Sequence, residues 1–598
     1  MHIDWNVSSA EAIEGTCPAC GDTGSKAVRL KIRSAAPPFP MLPLGICGRC
    51  GTALFATMDE PGYEGMQGAT TETGNETALA FYLEQGAGID VMAAQLSAVN
   101  PSTVRRYLEI GGGFGFSLDF ARSVYGWTVK GIDPGFAARR GRELLDLDIT
   151  SAYLRTPSEA GDEPFDLVLC SEVIEHIFEP LEFLSILRGV LAPGGTLLLT
   201  TPNAGVIAPE TSIGAMLPLL SPGYHVSVYS RAGFETLLRR AGFTAVAVVE
   251  DGATLRAAVA MTEGTANLSG ALDRARYIEY LAERAKTIPA DTPFGLGLRY
   301  RRVKELTHAG RFAEMRDLAG PLVETCRTRW GLQLDKPETL MGRRDWPPNM
   351  IDFHKIAPFN VCGILYCLGM MVWHDDEREK ARVFFQAAAE VGEWMRATLQ
   401  DAGIDDGETA ELSWRARAYD LHILAWLKPT AAAEGMERLA KMVTPVLNER
   451  IPPAILTEVR RQTFTALVNL GHYAAADRLV RAVESDLDDC APMQIASASF
   501  ALGILSLNHR RAPKQSASWF GKAAELCRQL VVQAPGQSEA LLWEAVYHQG
   551  QALVHAKMHQ EAGEVLGGLL NPAPGLPAVP PVLRERTEAL VRSKRLSV

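Results

Sequence analysis

A glycine-rich turn followed by an acidic residue stands out among the residues that could bind a ligand. Residues 109–115 read E-I-G-G-G-F-G and close a short apolar segment, 107–110, before a helical pattern begins. Glycines let a ligand approach the backbone closely, and the first helical turn offers unpaired N–H groups. Asp133 ends the next apolar segment, about 20 residues after Gly111, where a carboxylate can bind ribose hydroxyls. The spacing therefore predicts a site for an adenosine-type cofactor.

The residues of this turn also indicate the charge of the cofactor. A dinucleotide-binding turn needs a third glycine where the helix packs on the strand, and that position holds Phe116. Glu109 at the start of the turn would repel a pyrophosphate but would suit a cation. Both features resemble the first motif of class I S-adenosylmethionine methyltransferases, an acidic residue followed by G-x-G-x-G. The resemblance implies cofactor contacts from Glu109, Gly111, Gly113, Gly115 and Asp133.

The segments that follow keep the order of the same family. Residues 164–170 read as the fourth strand of its sheet, 171–176 follow as S-E-V-I-E-H, and 191–203 turn through P-G-G into another strand. This motif set resembles the branch that contains ubiquinone-pathway and glycan or small-molecule methyltransferases. The resemblance implies a seven-stranded Rossmann-like sheet, with Glu172 close to the amino-acid end of the cofactor. A carboxylate that only caps the following helix is the alternative for Glu172.

Two histidines are candidates for chemistry on the methyl acceptor. Methyl transfer needs in-line alignment, and a hydroxyl or carbon-acid acceptor also needs a base. His176 follows the fourth strand, where parallel sheets place their active crevice, and His225 lies in the loop before a clear helix. The alternatives are a His176 that only braces its turn and a His225 that is a partly buried loop residue. Glu159 and Asp162 are both candidates for the group that contacts adenine.

Length and net charge indicate the number of domains and the kinds of partner to expect. A chain of 598 residues is too long for one core, so we expect several domains. The net charge of −11 gives no bulk attraction to nucleic acid or to anionic membranes. The longest apolar run, 361–373, is shorter than a membrane span, and residues 1–5 lack the pattern of a signal peptide. We therefore expect a cytoplasmic protein without a membrane span or a nucleic-acid partner.

Four cysteines near the start have the spacing of a metal site. Cys17 and Cys20 form one C-x₂-C pair, Cys47 and Cys50 form another, and a glycine follows each pair. Four thiolates from two such turns suit a tetrahedral Zn²⁺ ion, which is structural because no coordination position stays open. Two disulfides or free thiols are the alternative, and a reducing cytoplasm disfavours disulfides. A double C-x₂-C module before a class I domain is similar to the front of deoxysugar C-methyltransferases, although those enzymes continue into a further α/β domain.

The second half of the chain shows helical periodicity with recurring small residues. Gly369 and Ala381 lie 12 residues apart, as do Gly550 and Ala562, and this spacing resembles tetratricopeptide repeats. We expect about five degenerate helix pairs, interrupted by an irregular insertion at about 330–360. Stacked pairs would form a solenoid whose concave surface binds a partner protein. An ordinary helical bundle is the alternative.

The predicted fold class is multidomain α/β plus all-α. It comprises a zinc-ribbon-like module (1–60), a helical connector (61–103), a Rossmann-like methyltransferase domain (104–263), a linker (264–270) and a helical-repeat solenoid (271–598). The favoured function is S-adenosylmethionine-dependent methyl transfer to a sugar, glycan precursor or other small hydroxylated metabolite, with the repeats recruiting a partner or the acceptor. A protein methyltransferase whose solenoid binds a polypeptide is the first alternative. A non-catalytic scaffold is the second, and the combination of Glu109, the glycine turn and Asp133 argues against it.

Overall fold

The computed structural model describes most of the chain, in two compact units. The described residues are 3–8, 10–36, 38–56, 62–66, 71–211, 213–262, 268, 270–401, 404, 406–533, 536 and 538–598. Most of the predicted linker and residue 263 lie outside them. The first unit comprises 1–339, 343–367 and 394–409, and the second comprises 340–342, 368–393 and 410–598.

The described part of the chain contains thirteen strands in two sheets, both in the first unit. In chain order they are β1 (Ile3–Asp4), β2 (Ala12–Ile13), β3 (Lys26–Arg33), β4 (Met41–Ile46), β5 (Ala53–Phe55), β6 (Arg106–Ile110), β7 (Thr128–Ile132), β8 (Ile149–Thr150), β9 (Phe165–Ser171), β10 (Leu191–Pro202), β11 (Ser227–Val228), β12 (Ala245–Asp251) and β13 (Thr254–Ala260).

The larger sheet confirms the predicted seven-stranded Rossmann-like fold. Its order is β12-β13-β10-β9-β6-β7-β8, and β10, β9, β6, β7 and β8 are parallel. The antiparallel strands β13 and β12 complete one edge. The residues of β6 and β9 are almost all buried because helices cover both faces of a parallel sheet. The carboxyl ends of β6, β7 and β9 therefore meet at one edge, where the candidate site lies.

The smaller sheet joins the cysteine module to the chain segment that follows β10. It follows the order β1-β3-β4-β5-β11, and β2 pairs with β3. Its last strand, β11, comes from the loop region after β10 and pairs antiparallel with β5 through Ser227 and Leu54. The first 60 residues thus share a sheet with a segment that lies about 170 residues further along the chain.

Helices surround the larger sheet and continue through the rest of the chain. Those before and around the sheet are α1 (Glu72–Gln85), α2 (Ala87–Gln95), α3 (Phe116–Phe120), α4 (Phe136–Leu145), α5 (Pro180–Gly189), α6 (Ile213–Leu220) and α7 (Arg231–Arg240). Those that follow are α8 (Arg274–Thr287), α9 (Pro293–His308), α10 (Phe312–Trp330), α11 (Met350–Ile356), α12 (Val361–His374), α13 (Arg378–Asp401), α14 (Gly407–Leu427), α15 (Pro429–Leu439), α16 (Pro453–Asn469), α17 (Tyr473–Asp477), α18 (Val480–Asp486), α19 (Pro492–Asn508), α20 (Pro513–Gln533), α21 (Glu539–His555), α22 (His559–Leu570) and α23 (Pro581–Lys594).

The predicted helical second half is confirmed, and the repeat assignment within it stays a prediction. In the second unit α19, α20, α21 and α22 pack as successive neighbours. A Cβ atom on Gly550 would lie 2.4 Å from Leu566, and one on Gly369 would lie 2.9 Å from Phe385. The glycines therefore allow close helix crossings, as the repeat interpretation expects. In the predicted insertion, Trp346 is buried and stacks on Phe353.

Among the described residues, no single helix has the length and apolar composition of a membrane span. Only α11 and α12 taken together, bent by 41° at their junction, meet that standard. The apolar run at 361–373 forms most of α12, and its residues are largely buried within the protein.

Candidate cofactor and acceptor site

A large cavity opens at the carboxyl ends of β6, β7 and β9. Its volume is about 1140 Å³, at the upper end of the range for ligand sites. Its wall includes five of the predicted site residues: Gly111, Gly113, Asp133, Glu172 and His176. Side chains far apart in the sequence therefore converge on one space that is large enough for a cofactor and a small acceptor.

The glycine turn forms the floor of this cavity. Gly111, Gly113 and Gly115 have φ values of +71°, +53° and +85°, a region that favours glycine. A Cβ atom on Gly111 would lie 2.3 Å from Val173, whereas one on Gly113 would meet no protein atom within 4 Å. The backbone at Gly113 therefore faces open space, where a ligand can approach it closely.

Asp133 connects the turn after β6 to the turn after β7. One carboxylate oxygen, Oδ2, accepts a hydrogen bond from the N–H of Gly113 at 2.8 Å, and Oδ1 accepts one from Gly135 at 2.6 Å. Both oxygens keep further lone pairs, and the residue lines the cavity. Asp133 thus holds the loop geometry and presents acceptors to a ligand at the same time.

Gly115 is a closely packed glycine of this turn. Gly115 precedes α3, and a Cβ atom there would lie 2.8 Å from Leu147. Phe116 is itself buried between Tyr82 and Phe294, with which it stacks. Gly115 is not part of the cavity wall, so its predicted cofactor contact stays a prediction, and its observed role is close packing.

Glu109 lies behind the glycine turn rather than in the cavity wall. The side chain is fully buried, and neither carboxylate oxygen has a hydrogen-bond partner among the described residues. The neighbouring hydroxyls of Tyr107 and Ser117 bond to each other at 2.7 Å instead. Burial, with a further contribution from the charge of Asp133, raises the pKa of Glu109 from its ordinary 4.5 to about 7. A nearby cation would favour its charged form, so the residue fits a cationic ligand.

The burial of Glu109 predicts a pH-dependent stability for the cofactor-free chain. Because the pKa is raised, the folded state holds this proton more tightly than the unfolded chain does. The contribution of Glu109 to the free energy of unfolding is therefore fully present below pH 4.5 and is lost as the pH rises through about 7. Glu109→Gln removes this ionisation. We expect it to raise the free energy of unfolding at pH 8 by about 3 kcal/mol, with little change at pH 4.

Urea unfolding curves at the two pH values test this prediction. Glu163→Gln is the control, because that side chain is 72% exposed and should leave the pH dependence unchanged. The same fall in stability between pH 4 and pH 8 in the unaltered chain and in Glu109→Gln would contradict the prediction.

Glu172 begins the segment after β9 and points into the cavity. Its φ of +55° lies in the left-handed region, which is unusual for a residue with a side chain. The following helical turn, 174–176, has no side-chain cap, so the structure does not show the capping alternative. The carboxyl group is reachable from the cavity but is surrounded by protein, and this partial loss of water raises its pKa. Its contact with a cofactor stays a prediction.

The two candidate histidines are neighbours. Their rings meet edge to face, with centroids 4.6 Å apart. His176 lines the cavity, whereas His225 lies behind it and is only 5% exposed. Burial lowers the pKa of His176 to about 4 and that of His225 to about 3, so both rings are neutral near pH 7. A neutral imidazole has one nitrogen free to accept a proton or a metal ion.

The structure places Glu175, the residue before His176, beside both histidines. Its carboxylate is fully buried, and Oε2 accepts a hydrogen bond from the hydroxyl of Thr201 at 3.0 Å. Oε1 lies 4.0 Å from Nε2 of His176 and 4.0 Å from Nε2 of His225. The signal in the sequence is the E-H pair directly after a strand, but only the fold brings His225 to it.

The two candidates for adenine contact do not line the cavity. Glu159 accepts hydrogen bonds from the N–H groups of Arg155 and Thr156, so it caps its own helical turn. Asp162 is likewise absent from the cavity wall. That side of the cavity is lined instead by Tyr153, Leu154 and Arg155, residues that the sequence pattern did not single out.

The four predicted metal-binding cysteines form a compact cluster. The sulfur atoms of Cys17 and Cys50 are 3.6 Å apart, and those of Cys20 and Cys47 are 3.7 Å apart. Four thiolates around Zn²⁺, each at about 2.3 Å, lie about 3.8 Å from one another. The described cluster therefore has the dimensions of a tetrahedral zinc site, with all four sulfurs within 4.8 Å of each other.

The cysteine cluster is tied to the loop that carries His225. The hydroxyl of Ser230 donates a hydrogen bond to the carbonyl of Cys50, and Arg240 donates one to the carbonyl of Ala19 at 2.7 Å. The N–H of Phe55 donates to the carbonyl of Val226 at 3.1 Å. The position of the loop therefore depends on both cysteine turns.

The central part of this chain is similar to known proteins. Residues 82–248 match the family model described as "Methyltransferase domain", a match that begins within α1, ahead of the predicted start at residue 104. The ubiquinone biosynthesis O-methyltransferase of Caulobacter sp. (strain K31) is 35% identical over 132 residues, 20% of this chain and 51% of that protein. The Caulobacter vibrioides protein of the same name is 33% identical over 161 residues, 25% of this chain and 62% of that protein. The chain spans about half the length of the curated relatives it matches.

Among solved structures, an O-methyltransferase family protein from Burkholderia thailandensis is similar at 17% identity and a TM-score of 0.27, covering 32% of this chain and 61% of that one. The family match and the curated relatives confirm the predicted enzyme class for the central part of the chain. Residues 82–248 of this chain are therefore similar to methyltransferase domains, in the region where the sequence motifs predicted one.

Proposed function

We propose that the chain transfers a methyl group from S-adenosylmethionine to a sugar, a glycan precursor or another small hydroxylated metabolite. The observation that carries the proposal is one cavity with the glycine turn and Asp133 on one side and His176 on another. Cofactor and acceptor can therefore meet in a space partly shielded from water, with the in-line alignment that methyl transfer requires.

The cofactor side of the cavity fits the chemistry of S-adenosylmethionine. When bound, this cofactor supplies an electrophilic methyl group on a positively charged sulfur. Asp133 would accept hydrogen bonds from ribose hydroxyls, and the open space above Gly113 would admit the ligand. The unpartnered carboxylate of Glu109 gives this side a negative potential, which favours a cation and disfavours a pyrophosphate.

The acceptor side of the cavity offers His176 and, behind it, His225. Nδ1 of His176 lies 2.9 Å from the hydroxyl of Tyr63, which holds the ring in place. As bare imidazoles, the two histidines would orient an acceptor hydroxyl and take its proton during transfer. Both rings are neutral near pH 7, as this role requires.

We further propose a structural Zn²⁺ on Cys17, Cys20, Cys47 and Cys50, supported by the sulfur spacing. All ten cysteines are free of disulfides, in keeping with a reducing cytoplasm. The helical half would recruit a partner protein or the acceptor. A polypeptide acceptor bound there is the competing function, and a scaffold without catalysis is the remaining one.

Labelling of a cell extract tests the choice among these functions. The full chain is incubated with extract and methyl-labelled S-adenosylmethionine, and the products are separated into protein and small-molecule fractions. We expect label in the small-molecule fraction, and its absence when Asp133→Ala replaces the unaltered chain. Label only in protein would establish the protein methyltransferase instead. If the chain binds the cofactor but no fraction is labelled, the result would support the non-catalytic scaffold.

A further inference from the structure

The Nδ1 atoms of His176 and His225 both face backbone carbonyls. Nδ1 of His225 is 3.0 Å from the carbonyl oxygen of Leu219, which can only accept a hydrogen bond, so this nitrogen carries the proton. Nδ1 of His176 is 3.1 Å from the carbonyl oxygen of Tyr224. The hydroxyl of Tyr63 donates to the same carbonyl at 3.2 Å, and its oxygen accepts from Nδ1 of His176 at 2.9 Å. The Nε2 atom of each ring therefore carries a lone pair.

A third acceptor lies near these two lone pairs. Oε1 of Glu175 lies 4.0 Å from both Nε2 atoms and has no hydrogen-bond partner among the described residues. A separation of 4.0 Å is too long for a hydrogen bond, so a proton on Glu175 cannot link the groups directly. An ionised Glu175 and two imidazole lone pairs, buried with no donor between them, are costly unless something positive lies at their centre.

A water molecule can bind only some of these three acceptors, whereas a metal ion can bind all of them. Water has two protons, so it can donate to only two of the three acceptors. A divalent cation binds all three at once, and two histidines with one carboxylate are a ligand set that such ions use. Each histidine also donates its Nδ1–H to a carbonyl, the support that metal-bound histidines usually have.

We propose that Oε1 of Glu175, Nε2 of His176 and Nε2 of His225 bind a divalent transition-metal ion of the Zn²⁺ type. Oε1 of Glu175 lies 4.0 Å from each Nε2 atom, and one donor atom from each of the three residues lies within 4.8 Å of the other two. Ligands about 2.0–2.1 Å from a tetrahedral ion lie about 3.4 Å apart, so the side chains need to close by about 0.6 Å at the carboxylate and by at most about 1.4 Å elsewhere. Three protein ligands leave at least one coordination position open, and His176 is the ligand that lies in the cavity wall.

This ion would act on the methyl acceptor, and in that respect the inference rests on the proposed function. The open position would bind an oxygen atom of a hydroxylated acceptor and favour its deprotonated, nucleophilic form. The histidines would then act through the ion and not as free bases. The site therefore selects an acceptor whose hydroxyl can reach the end of the cavity next to His176.

Metal analysis of the full chain tests the proposal without any acceptor. The Zn²⁺ content of the full chain is measured with its metals bound, and a second preparation is made with Co²⁺ in place of Zn²⁺, because the absorption of Co²⁺ distinguishes four thiolates from nitrogen and oxygen ligands. We expect about two ions per chain, one at the cysteines and one at Glu175, His176 and His225. Glu175→Gln and His225→Ala should each retain the thiolate absorption and lose the second ion.

His422→Ala is the matched control, because His422 is also buried and bonded through Nδ1, to Thr463, in the second unit. It should retain both ions. Binding of S-adenosylmethionine by each variant shows that it is folded. A chain that binds only the thiolate ion, with the same metal content for Glu175→Gln and His225→Ala, would overturn the proposal. Failure of the labelling experiment with two bound ions would count against the proposed function and leave the metal site standing.

Discussion

Asp133→Ala should lower the affinity for S-adenosylmethionine on the order of 100-fold. The carboxylate would lose its bonds to ribose hydroxyls, and hydrogen bonds to a charged group contribute about 1.5–3 kcal/mol each. The variant also loses the bonds from the N–H groups of Gly113 and Gly135 that hold the two turns together. Calorimetric titration of the full chain with the cofactor measures the effect. Equal affinities for the unaltered chain and Asp133→Ala would refute the cofactor site.

Two further variants separate ligand contact from loop stability. Asp133→Asn keeps one oxygen acceptor, so its affinity should fall between those of the other two chains. Gly113→Ala places a methyl group in the open space of the cavity, where it meets no protein atom within 4 Å but would obstruct a ligand. Gly126→Ala is the matched control, since Gly126 also has positive φ and an open Cβ position but lies outside the cavity wall. Only Gly113→Ala should weaken cofactor binding.

The combined change of Cys17→Ser and Cys20→Ser should remove the structural zinc and destabilise the first unit strongly. Zinc bound by four thiolates can contribute on the order of 10 kcal/mol to folding. The buried side chains of the cysteine module, such as Leu30 and Phe55, share their core with residues 207–228, so loss of the zinc should affect both segments. Metal analysis should show the loss of about one zinc per chain. Thermal unfolding should show a lower midpoint. Cys490→Ser is the control, because this partly buried cysteine bonds to the carbonyl of Asp486 and lies far along the sequence.

Loss of this zinc should also loosen the loop on the acceptor side of the cavity. The carbonyl of Cys50 accepts from Ser230, and β5 pairs with β11, so the cysteine turns hold the loop that carries His225. We expect faster hydrogen exchange at the N–H groups of Phe55 and Val228 after chelation of the zinc. Unchanged exchange at these positions, with the zinc removed, would show that the loop is held independently.

Much of the methyl-transfer fold was predictable because its signals are local. Glycine at positive φ, a carboxylate at a strand end and paired C-x₂-C turns each act through neighbours within a few residues. The seven-stranded sheet followed from apolar segments of strand length in a familiar order. The packing around this turn was not predictable in the same way, since Phe116 packs between Tyr82 and Phe294 and Gly115 makes a close approach to Leu147.

By itself, the sequence determined the elements of this protein: the glycine turn, Asp133, the cysteine pairs, the order of strands and the helical second half. Only the tertiary structure decided that Glu109 lies behind the turn, because burial depends on what packs over both faces of the sheet. It also brought His225 to Glu175 and His176 and joined β11 to β5, contacts between segments about 50 and 170 residues apart. Local chemistry is encoded in neighbouring residues, whereas convergence of distant side chains is a property of the folded chain.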